Sequence, residues 1–464
     1  MRRDPLDFYR ETISHEYVNG FLRASGICPR AGVFTATTVI WMMIAQRMKL
    51  NASLAQAVED LRVRREIELL DLAATSGRAR TRDFANRTSG YSQGRKRVPL
   101  RVVEEVADLL NETILSEQRK RKKRSSEIFV LDGSTLQIAH TPDNLLRYPQ
   151  YRNQHGKAHY PLVRFCIATH ADTGAILRPS YGPYNGPNAV SELMLAVELL
   201  SRLPKGATVL GDRYFGCFRF VHAAYGNDLD VLCRMKTQNA ARVLGYSPEG
   251  IGEAKTTWTP SKAELKKYPE LSGSSVRGKF VWCPLQENGK PKEMLILFTT
   301  TELSLEETVK MYGRRWLVET DLRDIKSTLK MNFIDAKSPE MIAKEIVLGA
   351  CAYNMIRHMI ELAATAAKLS ARRFSFTAVL RRIHALAHTA LHEDSLRPQF
   401  HDILRRALTD VKGLTLPIRA GPRRSEPRKI WGRGARHTMK KSREFERKRT
   451  PVRKKPVTKQ MDAD

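Results

Sequence analysis

The sequence lacks three features that would place it in large classes of protein. Its six cysteines are widely spaced and include no Cys-x-x-Cys pair, which argues against a zinc ribbon or a disulfide framework. The most apolar early run, residues 39–45, is far too short to span a bilayer. Residues 1–5 lack the apolar core of a signal peptide. We therefore expect a cytoplasmic protein with no membrane partner.

Acidic residues are also scarce relative to basic ones. The 464 residues include 79 Lys and Arg against 49 Asp and Glu, a formal net charge of +30. The 42% hydrophobic residues can build a sizeable core, which excludes global disorder. A folded chain this basic predicts a polyanionic partner, most often nucleic acid. The alternative is a merely basic surface.

The positive charge is spread along the chain. Residues 421–464 hold 16 Lys and Arg against five Asp and Glu, and we expect this tail to be disordered when unbound. Residues 119–124 are six consecutive bases. Both clusters predict a salt-sensitive attraction for phosphates, and we expect the protein to associate with the nucleoid.

The first 124 residues have a helical pattern. Apolar spacing predicts helices over 35–72 and 100–118, with a polar, base-rich loop at 88–99 between them. We interpret residues 1–124 as a helical DNA-binding domain. A helical packing module with solvated bases explains the pattern equally well.

From residue 126 the pattern becomes that of an α/β fold. The predicted order is β, β, β, α, β, α, β, over 128–131, 163–169, 175–181, 189–203, 207–211, 218–225 and 230–235. Residues 236–301 are less regular, with strand candidates at 276–284 and 294–300. Further helices are predicted at 305–332, 338–366 and 376–388.

The helix predicted at 305–332 carries four polar residues on one side. At 100° per residue, Tyr312, Arg315, Glu319 and Lys326 fall within about 60° of arc, beside an apolar stripe. Taken alone, this pattern also fits an amphipathic helix with solvated charges.

Two acids suggest more than solvation. Asp132 and Asp212 each follow an apolar run, so we expect both at the carboxyl ends of buried strands, where sheets commonly present functional groups. With Glu319 they would form a three-carboxylate cluster, which is unfavourable unless cations are bound. Mg²⁺ prefers such oxygens, and two ions about 4 Å apart can promote phosphodiester cleavage.

Three motifs occur in order: Asp132-Gly-Ser-Thr after a strand, Leu-Gly-Asp212-Arg-Tyr-Phe, and the Tyr312, Arg315, Glu319, Lys326 spacing. Together they resemble the DDE transposases of the insertion sequence four family, in its hairpin-forming Tyr-Arg-Glu-Lys group. The resemblance covers about residues 126–360. It implies a ribonuclease H-like mixed sheet with helices, a β-rich insertion and an N-terminal helical domain.

The sequence patterns and the resemblance together predict a domain organisation. A helical DNA-binding domain is predicted at 1–124 and the first part of the catalytic core at 125–235. The β-rich insertion follows at 236–303 and the second part of the core at 304–366. A C-terminal helical region is predicted at 367–420 and a basic tail at 421–464.

The implied function is cut-and-paste transposition of a prokaryotic insertion sequence. Asp132, Asp212 and Glu319 would be catalytic and bind two Mg²⁺ ions, for which Mn²⁺ could substitute. Tyr312, Arg315 and Lys326 would contact phosphates of the DNA. Water would nick one strand, the freed 3′-hydroxyl would form a hairpin, and the reopened end would join target DNA. The partners would be transposon end repeats and target DNA, bound by a homodimer.

Hairpin-forming relatives hold a flipped base against aromatic rings, for which Trp258 and Trp282 are candidates, although core packing suits Trp282 better. Two other functions stay open on the sequence. One is a catalytically inactive, DNA-binding relict that acts as a repressor or architectural protein. The other is a nuclease that cuts DNA without strand transfer.

Overall fold

The computed structural model of the protein describes most of the chain between residues 9 and 416. The described residues are 9, 11–30, 32–50, 52–64, 88–121, 127–153, 156–287, 290–392, 406–407 and 410–416. The predicted tail at 421–464 lies outside them, as do residues 65–72 of a predicted helix and residues 122–124 of the basic cluster. Arg119 of that cluster is described, and its guanidinium is paired with Glu127 and Glu112, both at 3.2 Å.

Five helices precede the sheet: α1 His15–Ala24, α2 Ala36–Met48, α3 Leu54–Arg64, α4 Ser89–Arg97 and α5 Leu100–Arg121. Polar residues begin the first two, because the side chains of Ser14 and Thr35 accept hydrogen bonds from free backbone N–H groups of α1 and α2. The apolar sides of these helices meet in one buried cluster that includes Val39, Val58 and Val103.

Helix α4 corrects the prediction of a polar loop at 88–99. Its glycines and basic residues favour a loop, but the glycines lie where α2 and the residues before it come very close. A Cβ at Gly90 would lie 2.8 Å from Cε2 of Phe34, and one at Gly94 would lie 2.8 Å from Cγ2 of Val39. The missing side chains thus allow close packing, which outweighs the poor helix propensity of glycine.

The strands are β1 Ile128–Ile138, β2 Arg152–Asn153, β3 Gly156–Lys157, β4 Leu162–His170, β5 Ser180–Pro183, β6 Thr208–Gly211, β7 Asp230–Arg234, β8 Gly252–Trp258, β9 Val276–Glu287, β10 Lys290–Thr299 and β11 Phe333–Ile334. The main sheet has the order β5-β4-β1-β6-β7-β10-β9-β8, and β11 pairs with β1. Strand β1 is parallel to β6 and antiparallel to β4. The chain therefore has a mixed α/β fold in which the strands of 252–299 extend the central sheet.

The remaining helices are α6 Pro142–Arg147, α7 Glu192–Leu200, α8 Phe218–Tyr225, α9 Thr237–Leu244, α10 Lys262–Lys267, α11 Leu305–Tyr312, α12 Leu317–Arg323, α13 Pro339–Ala366 and α14 Phe376–His392. The predicted elements from 128 to 235 occur in the predicted order, but helix α6 and the short strands β2 and β3, which were not predicted, lie between the first two predicted strands. Strand β5 begins later than predicted, helix α7 is shorter, and α9 and α10 were not predicted.

The single helix predicted at 305–332 is a composite. Helix α11 continues into a 3₁₀ turn at Gly313–Trp316, then α12, then a π-helical turn at Asp324–Thr328. It ends near Leu329, and Lys330 adopts a φ of 51°. The predicted angles, which assume 100° per residue, are therefore only approximate on this segment.

The two faces of the main sheet bury different helices. Side chains alternate along β1, so Val130 packs in the cluster that contains α12 and α13. Phe129 and Leu131 pack in the opposite cluster, with α7 and α8. Helix α13 in turn packs against the N-terminal helices, and Nζ of Lys344 donates to the carbonyl oxygen of Arg95 at 3.0 Å. Within the described ranges, no helix is long and apolar enough to cross a bilayer.

Candidate active site

Asp132 lies on β1, and Asp212 directly follows the neighbouring parallel strand β6. The pairing of the two strands runs to Val130 opposite Leu210, and each acid lies two residues further along the chain. The register therefore places the two acids side by side, at the same level of the sheet. Asp212 follows β6 as predicted, but Asp132 does not end β1, because the strand continues alongside β4 as far as Gln137.

The pKa of Asp132 is raised to about 7. Burial of the carboxylate is the largest cause, followed by the negative charges of Glu192 and, more weakly, Asp212. A hydrogen bond of 2.8 Å from the backbone N–H of Gly133 and the nearby charge of Arg315 act in the opposite direction. Burial and repulsion among the acids together therefore exceed the compensation that the Gly133 N–H and Arg315 supply.

Glu319 is paired with Arg315, whose positive charge also acts on Asp132. Nη2 of Arg315 donates to Oε1 of Glu319 at 3.2 Å, one helical turn along the chain. The arginine side chain is largely buried, whereas the Glu319 side chain is 44% exposed. Arg315 also lowers the pKa of Asp132, so its positive charge acts on both the acid of α12 and the acid of β1.

Tyr312 and Lys326 lie on the composite helix before and after α12, and both reach the same strands. Tyr312 is buried, and burial raises its pKa, against the influence of Arg315. Nζ of Lys326 donates to Oγ of Ser134 at 2.9 Å. Ser134 lies two residues after Asp132, on the same face of β1. The structure thus brings all six predicted site residues to one region around β1.

A buried ion network holds α12 in place. Asp321, which is fully buried, accepts hydrogen bonds from Arg357 and Arg372, each at 2.7 Å, and from the hydroxyl of Tyr353 at 2.9 Å. Arg357 also donates to Asp324 at 3.1 Å. The network ties the segment that carries Glu319 and Lys326 to α13, on the face of the helix away from Asp132.

Glu192 belongs to the same region, although the sequence analysis did not single it out. It is the first residue of α7, and it raises the pKa of Asp132. Burial and then the charge of Asp212 raise the pKa of Glu192 itself. The signal is visible only once the strand is known to continue past Asp132, since a glycine inside a strand, here Gly133, often marks a close approach by another group.

The two tryptophans considered for base stacking are not accessible. Trp258 is 1% exposed and packs edge to face against Phe298 with ring centroids 4.9 Å apart. Trp282 is 7% exposed, and its indole N–H donates to the carbonyl oxygen of Glu249. Core packing, expected for Trp282, thus applies to both rings, and the suggestion for Trp258 is wrong.

Comparison with known proteins identifies the region that holds these residues. The Transposase DDE domain matches residues 123–355. The chain belongs to this family. The matched range contains the six predicted site residues and Glu192, so the DDE domain is the part of the chain built around β1, β6 and α12.

One curated protein is similar over about half of the chain. The Transposase InsG for insertion sequence element IS4, from Escherichia coli (strain K12), is 22% identical over 240 residues. The aligned part is 51% of this chain and 53% of that protein. The chain therefore spans about half the length of the curated relative that it matches.

DDE transposase domains generally use divalent metal ions, and the chemistry of the acids here suits such ions. Asp132, Asp212 and Glu192 offer carboxylate oxygens, the ligands that Mg²⁺ and Mn²⁺ prefer, and their mutual repulsion would be relieved by a cation. Among the described residues, however, no three Asp, Glu, His or Cys side chains are arranged as a metal-binding group. Glu319 is held instead by Arg315.

Proposed function

We propose that the protein is a transposase that cuts and joins DNA strands at the ends of an insertion sequence. The observation that carries the proposal is the approach of Asp132 and Asp212 on adjacent strands, beside a helix that presents Glu319 and Arg315. Membership of the DDE family supports it, because the matched range contains this whole set.

In this proposal Asp132, Asp212 and Glu319 hold two divalent metal ions, Mg²⁺ or Mn²⁺. The ions would supply Lewis acidity at the scissile phosphate. Arg315 would contact a phosphate through its paired donors once Glu319 no longer occupies them, and Lys326 would act as a point charge. Tyr312 would contribute its hydroxyl, which burial keeps protonated.

The rest of the chain has proposed roles as well. The order β5-β4-β1-β6-β7, with β1 antiparallel to β4 and parallel to β6, supports a ribonuclease H-like core. Strands β8 to β10 would be its insertion. The N-terminal helices and the basic tail would bind the end repeats and target DNA, and a homodimer would hold two ends for hairpin formation and strand transfer.

The test uses the full chain and DNA that carries the inverted repeats flanking its own gene. We expect strand cleavage that requires Mg²⁺ or Mn²⁺, hairpin ends on a denaturing gel, and joining of the ends to a target plasmid. Asp212→Ala should abolish cleavage and retain binding of the ends in a mobility-shift assay.

Each other outcome points to a different function. Binding without cleavage by the wild-type protein would favour an inactive relict, and cleavage without joining would favour a nuclease. Full cleavage by Asp212→Ala would remove that residue from the site.

A further inference from the structure

Helix α7 places an acid over the strand that carries Asp132. The helix begins at Glu192, where the side chain of Ser191 accepts a hydrogen bond from the backbone N–H of Met194 at 3.1 Å. Its buried residues Leu195 and Leu199 fix it against the sheet face that holds Phe129. The first turn therefore has a defined position, and Glu192 lies at the end nearest the acids.

The approach of Glu192 to β1 depends on a missing side chain. A Cβ at Gly133 would lie 2.4 Å from Cδ of Glu192 and 2.8 Å from its Oε1, closer than real atoms come. Gly133 directly follows Asp132 and faces α7, because side chains alternate along the strand. Glycine at this position opens a space that the Glu192 carboxylate occupies.

The charges that face Glu192 are mixed. Asp132 and Asp212 are acidic neighbours, whereas Arg164 and the backbone N–H of Gly133 favour the ionised carboxylate. Arg164 has other partners, because Nη1 donates to the carbonyl oxygen of Val190 at 2.9 Å and its guanidinium lies 4.6 Å from the ring centroid of Tyr184. Glu192 thus shares its surroundings with both proposed catalytic aspartates.

We infer that Glu192 is a fourth carboxylate of the active site and holds the divalent metal together with Asp132 and Asp212. The inference rests on the proposed function for the identity of the site. The inference gives the space at Gly133 a role. It also gives Asp132 and Asp212 a further carboxylate neighbour, which reaches them from the sheet face opposite the one on which Arg315 and Glu319 lie. The set of acids would then flank the strand from both helices.

A structural role for Glu192 makes a different prediction. An acid in the first turn of a helix is stabilising because it complements the helix dipole. In that role the charge would support folding with or without metal. In the inferred role the charge is unfavourable without metal and favourable with it, so the two roles differ in the sign of the effect.

The experiment measures metal binding directly on the full chain without DNA. Mn²⁺ is titrated into wild type, Glu192→Gln and Glu198→Gln, and free Mn²⁺ is followed by electron paramagnetic resonance. Glu198 is the matched control, since it lies on the same helix and pairs with Arg202 at the surface. We expect at least a tenfold rise in the Kd for Mn²⁺ with Glu192→Gln and no change with Glu198→Gln.

Thermal unfolding of the same proteins separates the two roles. In EDTA, Glu192→Gln should melt at the wild-type temperature or above it, because a repelling charge is removed. With saturating Mn²⁺ it should gain less than the wild type gains. A lower melting temperature in EDTA together with an unchanged Kd would overturn the inference and leave Glu192 as a helix-terminal acid.

The outcomes also distinguish this inference from the proposed function. If Glu192→Gln binds Mn²⁺ like the wild type while the wild type cleaves and joins its ends, the inference fails and the function stands. If the wild type binds Mn²⁺ through Glu192 but leaves the ends intact, the inference stands and the function fails.

Discussion

Nζ of Lys326 donates a 2.9 Å hydrogen bond to Oγ of Ser134 and so links the π-helical turn to β1, two residues beyond Asp132. The contact joins the part of the chain that carries Glu319 to the strand that carries the first acid. A π-helical turn is rare and is often found at functional sites. Here it sets where the lysine meets the strand.

Ser134→Ala should slow DNA cleavage without unfolding the protein. Loss of one hydrogen bond costs about 1 kcal/mol, which corresponds to a roughly fivefold lower single-turnover cleavage rate if Lys326 is positioned through this contact. Exposed Ser272 provides the control, and Ser272→Ala should cleave at the wild-type rate. An unchanged rate for Ser134→Ala would show that Lys326 is positioned by other contacts.

The sequence predicts the acids of β1 and β6 and the helix beside them because local patterns encode them. Apolar runs mark the strands before Asp132 and Asp212, and a fixed spacing marks Tyr312 to Lys326 on one helix. What the sequence does not encode locally is which distant groups pack together. The continuation of β1 beyond Asp132 depends on pairing with β4, and the approach of Glu192 depends on how α7 packs over Gly133.

The same limit explains the wrong predictions. Most of the predicted loop at 88–99 is α4, because Gly90 and Gly94 let this helix pack closely on α2 and the residues before it, which composition alone does not reveal. The composite geometry of the 305–328 segment depends on tertiary contacts such as those of Asp321 and Asp324 with Arg357. The spacing of apolar residues marks the segment as helical, but it assumes one uniform helix of 100° per residue.

Arg357→Met should destabilise the fold strongly. The substitution removes the partner of Asp324 and one partner of Asp321, both of them buried, and so leaves negative charge without its full compensation. Breaking a buried ion pair from one side costs about 3 kcal/mol or more. Urea unfolding of the full chain measures the change. Arg101→Met, at an exposed pair with Glu105, should change the free energy of unfolding by less than about 0.5 kcal/mol.

Asp132→Asn should stabilise the metal-free protein in a pH-dependent way. The pKa of Asp132 is raised to about 7 on folding, so between about pH 4 and pH 7 the folded state holds a proton that the unfolded state has released. The contribution of this group to stability is therefore greatest at low pH and is lost as the pH rises through about 7. Asparagine removes the loss, and it can still accept the hydrogen bond from Gly133.

The measurement is the melting temperature of wild type and Asp132→Asn in EDTA from pH 5 to pH 8. The variant should gain on the order of 1 kcal/mol relative to wild type as the pH rises, after allowance for partial solvent screening. Asp228→Asn, at an exposed pair with Lys205, should show no such trend. A constant difference across this pH range would contradict the raised pKa.

Gly133→Ala should separate folding from metal binding. The added Cβ would lie 2.4 Å from both Cγ and Cδ of Glu192, so this flexible side chain must move away, and we expect a loss of stability of about 1 kcal/mol. The displaced carboxylate, however, can no longer share a cation with Asp132, and the Kd for Mn²⁺ should rise about as much as it does in Glu192→Gln.

Combining both substitutions should add little, because they remove the same interaction. Gly226→Ala, whose Cβ would find ordinary contacts at 3.5 Å, is the control and should leave the Kd unchanged. Additive losses in the double variant would mean that Gly133 and Glu192 act on the metal independently.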